Sequence, residues 1–308
     1  VQYKNLSPGS NGFISNVILS GSTRSAIDVS NSALTIEGCV FTGITAPGYP
    51  GGMRLSSNAN VTATGCRFEA INSRGAVGVE VANVASEFHA EDCSFVGNSS
   101  SIGTIYCYDP LGEPYGKFWL TKCTFENNTA PNTAPTWGGH YASNGVYMQA
   151  NNQGRLYIDR CTFKGGTGGT VFMLVRMSGW VKSSLFANNQ SNTSIFDGYA
   201  WNLPFTNCTF KGNSGGFSAW DPQPNVTYYN CIITDNGVLC KEAAAALKLY
   251  LKNVILWNTP LDKGYNVASS SNVIEQNPLL LETYRPKRIS PAVDAGNNAF
   301  LSAGDTFD

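Results

Sequence analysis

Short stretches of this chain alternate apolar and polar positions, and they end in a shared phrase. A corner residue comes first, followed by a small buried-type residue, any residue, and a large apolar one. Clear copies are Cys39-Val40-Phe41, Cys66-Arg67-Phe68, Cys93-Ser94-Phe95, Cys123-Thr124-Phe125, Cys161-Thr162-Phe163 and Cys208-Thr209-Phe210. Weaker ones are Val17-Ile18-Leu19, Ser184-Leu185-Phe186, Cys231-Ile232-Ile233 and Val254-Ile255-Leu256. Successive copies start 22, 27, 27, 30, 38, 23, 24, 23 and 23 residues apart. A unit of this size cannot bury its apolar side alone and must stack on its neighbours.

With the Cys position as zero, positions minus five and minus three are mostly apolar, as in Leu34 and Ile36, Leu156 and Ile158, Leu249 and Leu251. That alternation marks a strand with one buried face. Positions zero and plus two are also apolar, so the inward phase slips by one residue and the chain must turn a corner between them. Position minus one holds Asn16, Gly38, Gly65, Asp92, Asn207, Asn230 and Asn253, residue types that tolerate left-handed backbone. The pattern predicts an all-β, right-handed parallel β-helix (solenoid) of about ten or more turns. It forms a single domain over 1–308, with inserted loops at about 97–117 and 127–150 and a closing segment at about 277–308. A helical repeat is disfavoured by the β-branched and aromatic content. Only Glu242 to Lys248 reads as helix.

Composition narrows the function. The chain has 308 residues, 13% charged, with a formal net charge of −1, which gives no electrostatic footing for nucleic acid or an anionic membrane. No apolar run is long enough for a transmembrane segment. Of nine cysteines, seven fall on position zero. Parallel strands hold equivalent Cβ atoms about 4.8 Å apart, whereas a disulfide needs about 3.8 Å and converging vectors. Cys39, Cys66, Cys93, Cys123 and Cys161 are therefore expected as a ladder of buried thiols. No His or second Cys lies at metal-ligand spacing from them, and no metal is expected. Cys107 and Cys240 lie off the ladder and are the candidates for a disulfide or a reactive thiol.

Insertions in a solenoid collect on the face that binds. The two long steps carry Ile105 to Tyr115 and Pro135 to Tyr141, rich in aromatics beside acids. Tyr106, Tyr108, Asp109, Tyr115, Trp137, His140 and Tyr141 are the candidate ligand-binding residues, since ring faces stack on sugars and carboxylates bond hydroxyls; the alternative is that the rings only pack the loops down. Glycoside hydrolysis would call on the pair Asp109 and Glu113. Elimination from a uronic acid would call on a base among His140, Tyr141, Lys117, Arg155 and Arg176. His89 falls outward beside its strand and reads as a surface histidine.

The phrase resembles the right-handed β-helix superfamily that includes pectate lyases, polygalacturonases and chlamydial polymorphic outer-membrane proteins. The last group is marked by Phe-x-x-Asn, present here at Phe95 to Asn98, Phe125 to Asn128, Phe186 to Asn189 and Phe210 to Asn213. Its Gly-Gly-Ala-Ile motif has only loose counterparts at Gly51-Gly52-Met53 and Gly166-Thr167. The run Ser290 to Asn297, after Asn277-Pro278-Leu279, resembles the closing segment of bacterial secreted β-helix proteins, which implies an extracellular or cell-surface location. The polygalacturonase motifs (Asn-Thr-Asp, Asp-Asp, Gly-His-Gly, Arg-Ile-Lys) are absent, so no catalytic residue transfers from that family.

Two functions stand at this point. One is an extracellular or cell-surface adhesin, stalk or assembly subunit whose inserted loops contact a polysaccharide or cell-surface glycan. The other is a polysaccharide lyase or glycoside hydrolase with its site on the same loops; no cofactor is expected, apart from Ca²⁺ for a lyase. Asn-x-Ser/Thr sites occur at Asn5, Asn60, Asn98, Asn127, Asn189, Asn192, Asn207 and Asn225, where corner chemistry accounts for Asn better than glycosylation does. An uncapped solenoid exposes strand edges, so end-to-end self-association or continuation of a longer chain is expected.

Overall fold

The computed structural model describes residues 2–4, 11–80, 85–107, 115–131, 142–191, 195–199, 203–219, 225–237, 240–243, 248–261, 266–293 and 295–296. The described strands join one parallel sheet system that winds round three faces. The first face carries the alternating stretch before the corner. The phrase itself forms the second face, and a longer strand forms the third. Register on the second face follows the phrase: Leu19↔Phe41↔Phe68↔Phe95↔Phe125↔Phe163↔Phe186↔Phe210↔Ile233↔Leu256. On the third face the continuous ladder is Ile27↔Met53↔Val77↔Ile105↔Val146↔Phe172↔Phe196. Among the described residues it continues after Phe196 as the pairs Phe196↔Phe217, Phe217↔Cys240 and Ala219↔Ala243. About seven turns are thus closed on every face among the described residues, fewer than the ten or more that the phrases suggested. The phrase marks only the second face, which runs on beyond the closed turns.

Both corners of the phrase are left-handed. Position minus one has φ of 54° at Asn16, 58° at Gly38 and 52° at Asp92, and it stays left-handed at Lys122, Arg160 and Ser183. A second corner lies at plus four, where Gly43, Ala70, Gly97, Asn127, Gly165, Asn188, Gly212, Asp235 and Asn258 all have positive φ. Directly after it, the Asn of each Phe-x-x-Asn turns inward. Asn213 Nδ2 donates to Phe186 O at 2.9 Å and to Asn236 Oδ1 at 2.8 Å, and its own Oδ1 accepts from Asn189 N at 3.0 Å. These buried amides satisfy corner backbone groups that no strand can reach. No helix occurs among the described residues. Of the segment Glu242 to Lys248, Glu242, Ala243 and Lys248 lie in the strands Cys240–Ala243 and Lys248–Trp257, and 244–247 lie outside the described residues.

The lumen is filled by the inward positions. Rings from Phe41 to Phe210 stack at centroid distances of 4.5–5.0 Å with planes within 14° of parallel. The position-zero thiols Cys39, Cys66, Cys93, Cys123, Cys161, Cys208 and Cys231 are buried and free, and Cys107 is buried in the same core. Each ladder Sγ lies within 3.5 Å of the carbonyl two residues before it. The thiol proton is thereby held at the corner. The Cys240 side chain lies outside the described residues.

Candidate functional site

On the third face, lumen and solvent positions alternate. Met53, Leu55, Val77, Val79, Ile105 and Cys107 join the main core, so the residues between them point outward. The outward row runs Asp28↔Arg54↔Gly78↔Tyr106↔Tyr147↔Met173↔Asp197. Its later members, Tyr106, Tyr147 and Met173, form a second buried apolar cluster with Ile102 and Val175.

The earlier members build a charged network. Gly78 carries no side chain, and a Cβ there would run into the Tyr106 ring. The ring lies back over this gap, and its hydroxyl donates to Glu80 Oε1. Arg54 Nε bonds Glu80 Oε2 at 2.9 Å, Arg74 Nη1 bonds Glu80 Oε1 at 3.0 Å, and Arg54 Nη1 lies 3.8 Å from Asp28 Oδ2. The Glu80 side chain is only 9% exposed, while both arginines remain partly open to solvent. Burial raises the Tyr106 hydroxyl well above the usual phenol value, and the Glu80 charge adds to that; the group acts as a fixed donor. Asp28 Oδ1 is buried without a hydrogen-bond partner among the described residues. The result is an oriented set of guanidinium donors and carboxylate acceptors, with one acceptor unsatisfied, at the outer wall of three consecutive turns.

A second outward feature lies on the first face. His89, Trp119, Tyr157 and Trp180 occupy one row on consecutive turns. His89 stacks on Trp119 at 4.2 Å, Trp119 meets Tyr157 at 5.3 Å and Tyr157 meets Trp180 at 5.4 Å, with Lys182 Nζ over the Trp180 ring at 5.0 Å. Only the His89–Trp119 pair is stacked face to face; the Trp119–Tyr157 and Tyr157–Trp180 pairs are tilted by 33° and 47°.

The expected site residues divide between these features. Tyr106 was expected as an exposed sugar platform but is fully buried, and only its hydroxyl serves the network. Lys117 and Arg155 sit on the first face in adjacent register, away from Tyr106. Lys117 bonds Glu87 at 2.7 Å, and Arg155 Nη1 donates to Gly154 O at 2.8 Å. Burial pushes the Glu87 carboxyl up, but Lys117 and His89 outweigh it and hold it below its ordinary value. Arg176 sits at φ 51° inside Thr170–Lys182. Tyr108, Asp109, Glu113, Trp137, His140 and Tyr141 lie outside the described residues, as does the side chain of Tyr115. Asp28, Arg54, Arg74 and Glu80 were missed because they stand outside the phrase. The available signal was a charged residue recurring 26 positions on, from Asp28 to Arg54 to Glu80. Among the described residues no group of three or more His, Cys, Asp or Glu is placed to hold a metal ion, and no helix is long and apolar enough to cross a membrane.

Stacked in-register strands, left-handed corners and a lumen of repeated side chains define a parallel β-solenoid. The chain belongs to the family described as the right handed beta helix region, whose profile matches residues 5–129 and 115–279. Among solved structures, two trypsin-treated variants of QnrB1, a plasmid-mediated fluoroquinolone resistance protein, are each 12% identical to this chain. Both alignments cover 82% of this chain and 92% of the other, with TM-scores of 0.24 for one variant and 0.20 for the second. No curated protein matches the chain.

Proposed function

We propose that this β-helix works outside the cell or at its surface, as an adhesin, stalk or assembly subunit that contacts a glycan through its third face. The observation that carries this reading is the Asp28–Arg54–Glu80–Arg74 network. Charged groups held partly out of water cost stability, and charge-assisted hydrogen bonds to a polar ligand offset part of that cost. Guanidinium donors and carboxylate acceptors fixed in place suit sugar hydroxyls, which both give and take hydrogen bonds. The expected inserted segments at about 97–117 and 127–150 belong to the turns beside this network, which would let them frame a groove over it.

The test is binding to a panel of immobilised polysaccharides by wild type and Arg54→Ala. Loss of a charge-assisted contact to bound glycan weakens binding by roughly tenfold or more. Equal binding by both proteins, or none by either, removes the reading. Following the same mixtures for unsaturated products and new reducing ends tests the alternative of a lyase or hydrolase on this face.

A further inference from the structure

The first face is polarised along the solenoid axis. In the earlier turns its outward charges are Glu37, Glu87 and Glu91, with Asp92 at the corner; in the later turns they are Lys117, Arg155 and Lys182, with Lys122 at the corner. Asp159 is the exception, and it is engaged by Arg160 at 2.8 Å. Side-chain size is polarised in the same sense. The central row reads Phe13↔Thr35↔Thr62↔His89↔Trp119↔Tyr157↔Trp180, small at Thr35 and Thr62 and bulky from His89 onward.

We propose that a second copy of this chain docks antiparallel on the first face, sheet against sheet. The two-fold axis runs along the strands, between the strand of His89 and the strand of Trp119. Such a dyad keeps each row opposite itself and reverses the order of turns. Glu37 then meets Lys182 of the other copy, and the Glu87 and Lys117 pair meets its own inverse. Trp180 comes to lie over Thr35, and Tyr157 over Thr62. Opposite charges meet at Glu37 with Lys182 and at Glu87 with Lys117, the rings of Tyr157 and Trp180 fall on small side chains, and at the centre His89 meets Trp119 of the other copy. The Trp and Tyr side chains of this row are well suited to this use, because such residues anchor the cores of protein interfaces. Phe13, 58% exposed on the same row, gains cover from the turn beyond Trp180. The parallel arrangement is disfavoured, since it sets acid on acid and ring on ring along the face. This proposal does not depend on the glycan reading, which concerns a different face.

Sedimentation velocity over a range of concentrations tests it. Wild type sediments as a dimer in low salt, and the dimer weakens in high salt, as charge pairing across the face requires. Glu37→Lys and Lys182→Glu each raise the dissociation constant by at least about tenfold, because each reversal acts twice across the dyad. The combined variant Glu37→Lys/Lys182→Glu restores the dimer. Both positions are on the surface, so an unchanged urea midpoint verifies that the fold is intact. A wild-type chain that stays monomeric at every concentration in low salt overturns the proposal. So does a combined variant that dimerises no better than the single ones.

Discussion

Replacing Phe125 by Ala removes one ring from the middle of the lumenal stack. That ring is 3% exposed and lies 4.6 Å from Phe95 on one side and 4.6 Å from Phe163 on the other. Lost transfer energy and the cavity together cost about 3–5 kcal/mol, and each ring pair contributes about 0.5–1.5 kcal/mol beyond burial. The gap cannot close, because Ser94–Val96 and Thr162–Lys164 are held in register on either side of Thr124–Glu126. The cost therefore falls toward the upper end of that range. In a solenoid each turn touches only its neighbours, so the loss stays local. Hydrogen exchange read by mass spectrometry is the assay. Peptides covering 94–96, 124–126 and 162–164 should exchange at least about a hundredfold faster, at about 1.4 kcal/mol per factor of ten. The strand Ile232–Thr234 should be unaffected, and Phe125→Leu should cost less than about 1.5 kcal/mol. Acceleration below tenfold, or equal acceleration in the distant strand, refutes the argument.

Three further outcomes follow from the same geometry. Asn213→Ala removes the side-chain partners of Phe186 O and Asn189 N, while Asn236 Oδ1 keeps the backbone N–H of residue 213; at about 1–3 kcal/mol for each unsatisfied buried group, urea denaturation should show a loss of at least about 2 kcal/mol. The neighbouring Cys123 thiol, with burial, pushes the Cys93 thiol up to about 12. Because the unfolded thiol titrates near 8.5, the contribution of Cys93 to stability is complete below that pH. It declines from there up to about pH 12, as protons leave the unfolded chain first, and a thiol reagent near pH 8 should label it only after denaturation. Finally, Asn98 and Asn189 are buried in the amide ladder, whereas Asn60 and Asn127 are exposed. Peptide mapping after expression in a glycosylating host should find no glycan on the buried pair, and a glycan there would contradict the ladder.

The second face was readable in the sequence because its phrase combines a lumenal position, a corner and a period, and each leaves a residue signature. Cys, Phe and the Asn or Gly of the first corner recur at fixed offsets, so register followed from counting. The second corner leaves as clear a signature, since Gly, Asn or Asp stands at plus four in every described copy except Ala70. Outward rows are harder to read, since solvent positions place no demand on size or polarity. Tyr106 illustrates the difficulty. Its place beside an insertion marked it as exposed, but its burial depends on Gly78 one turn earlier and on Glu80 with its two arginines. Such contacts between turns appear only once register is known. The same holds for the first-face row, where His89 was correctly placed outward but its partners Trp119, Tyr157 and Trp180 lie on other turns.

Glycan contact is proposed for the third face and self-association for the first. Hydrogen exchange with and without a polysaccharide selected from the panel separates these assignments most directly. Bound glycan should protect the segments around Arg54, Arg74 to Glu80 and Tyr106, while the segments carrying His89, Trp119, Tyr157 and Trp180 exchange as in the free protein. Protection confined to the first-face row would contradict the account.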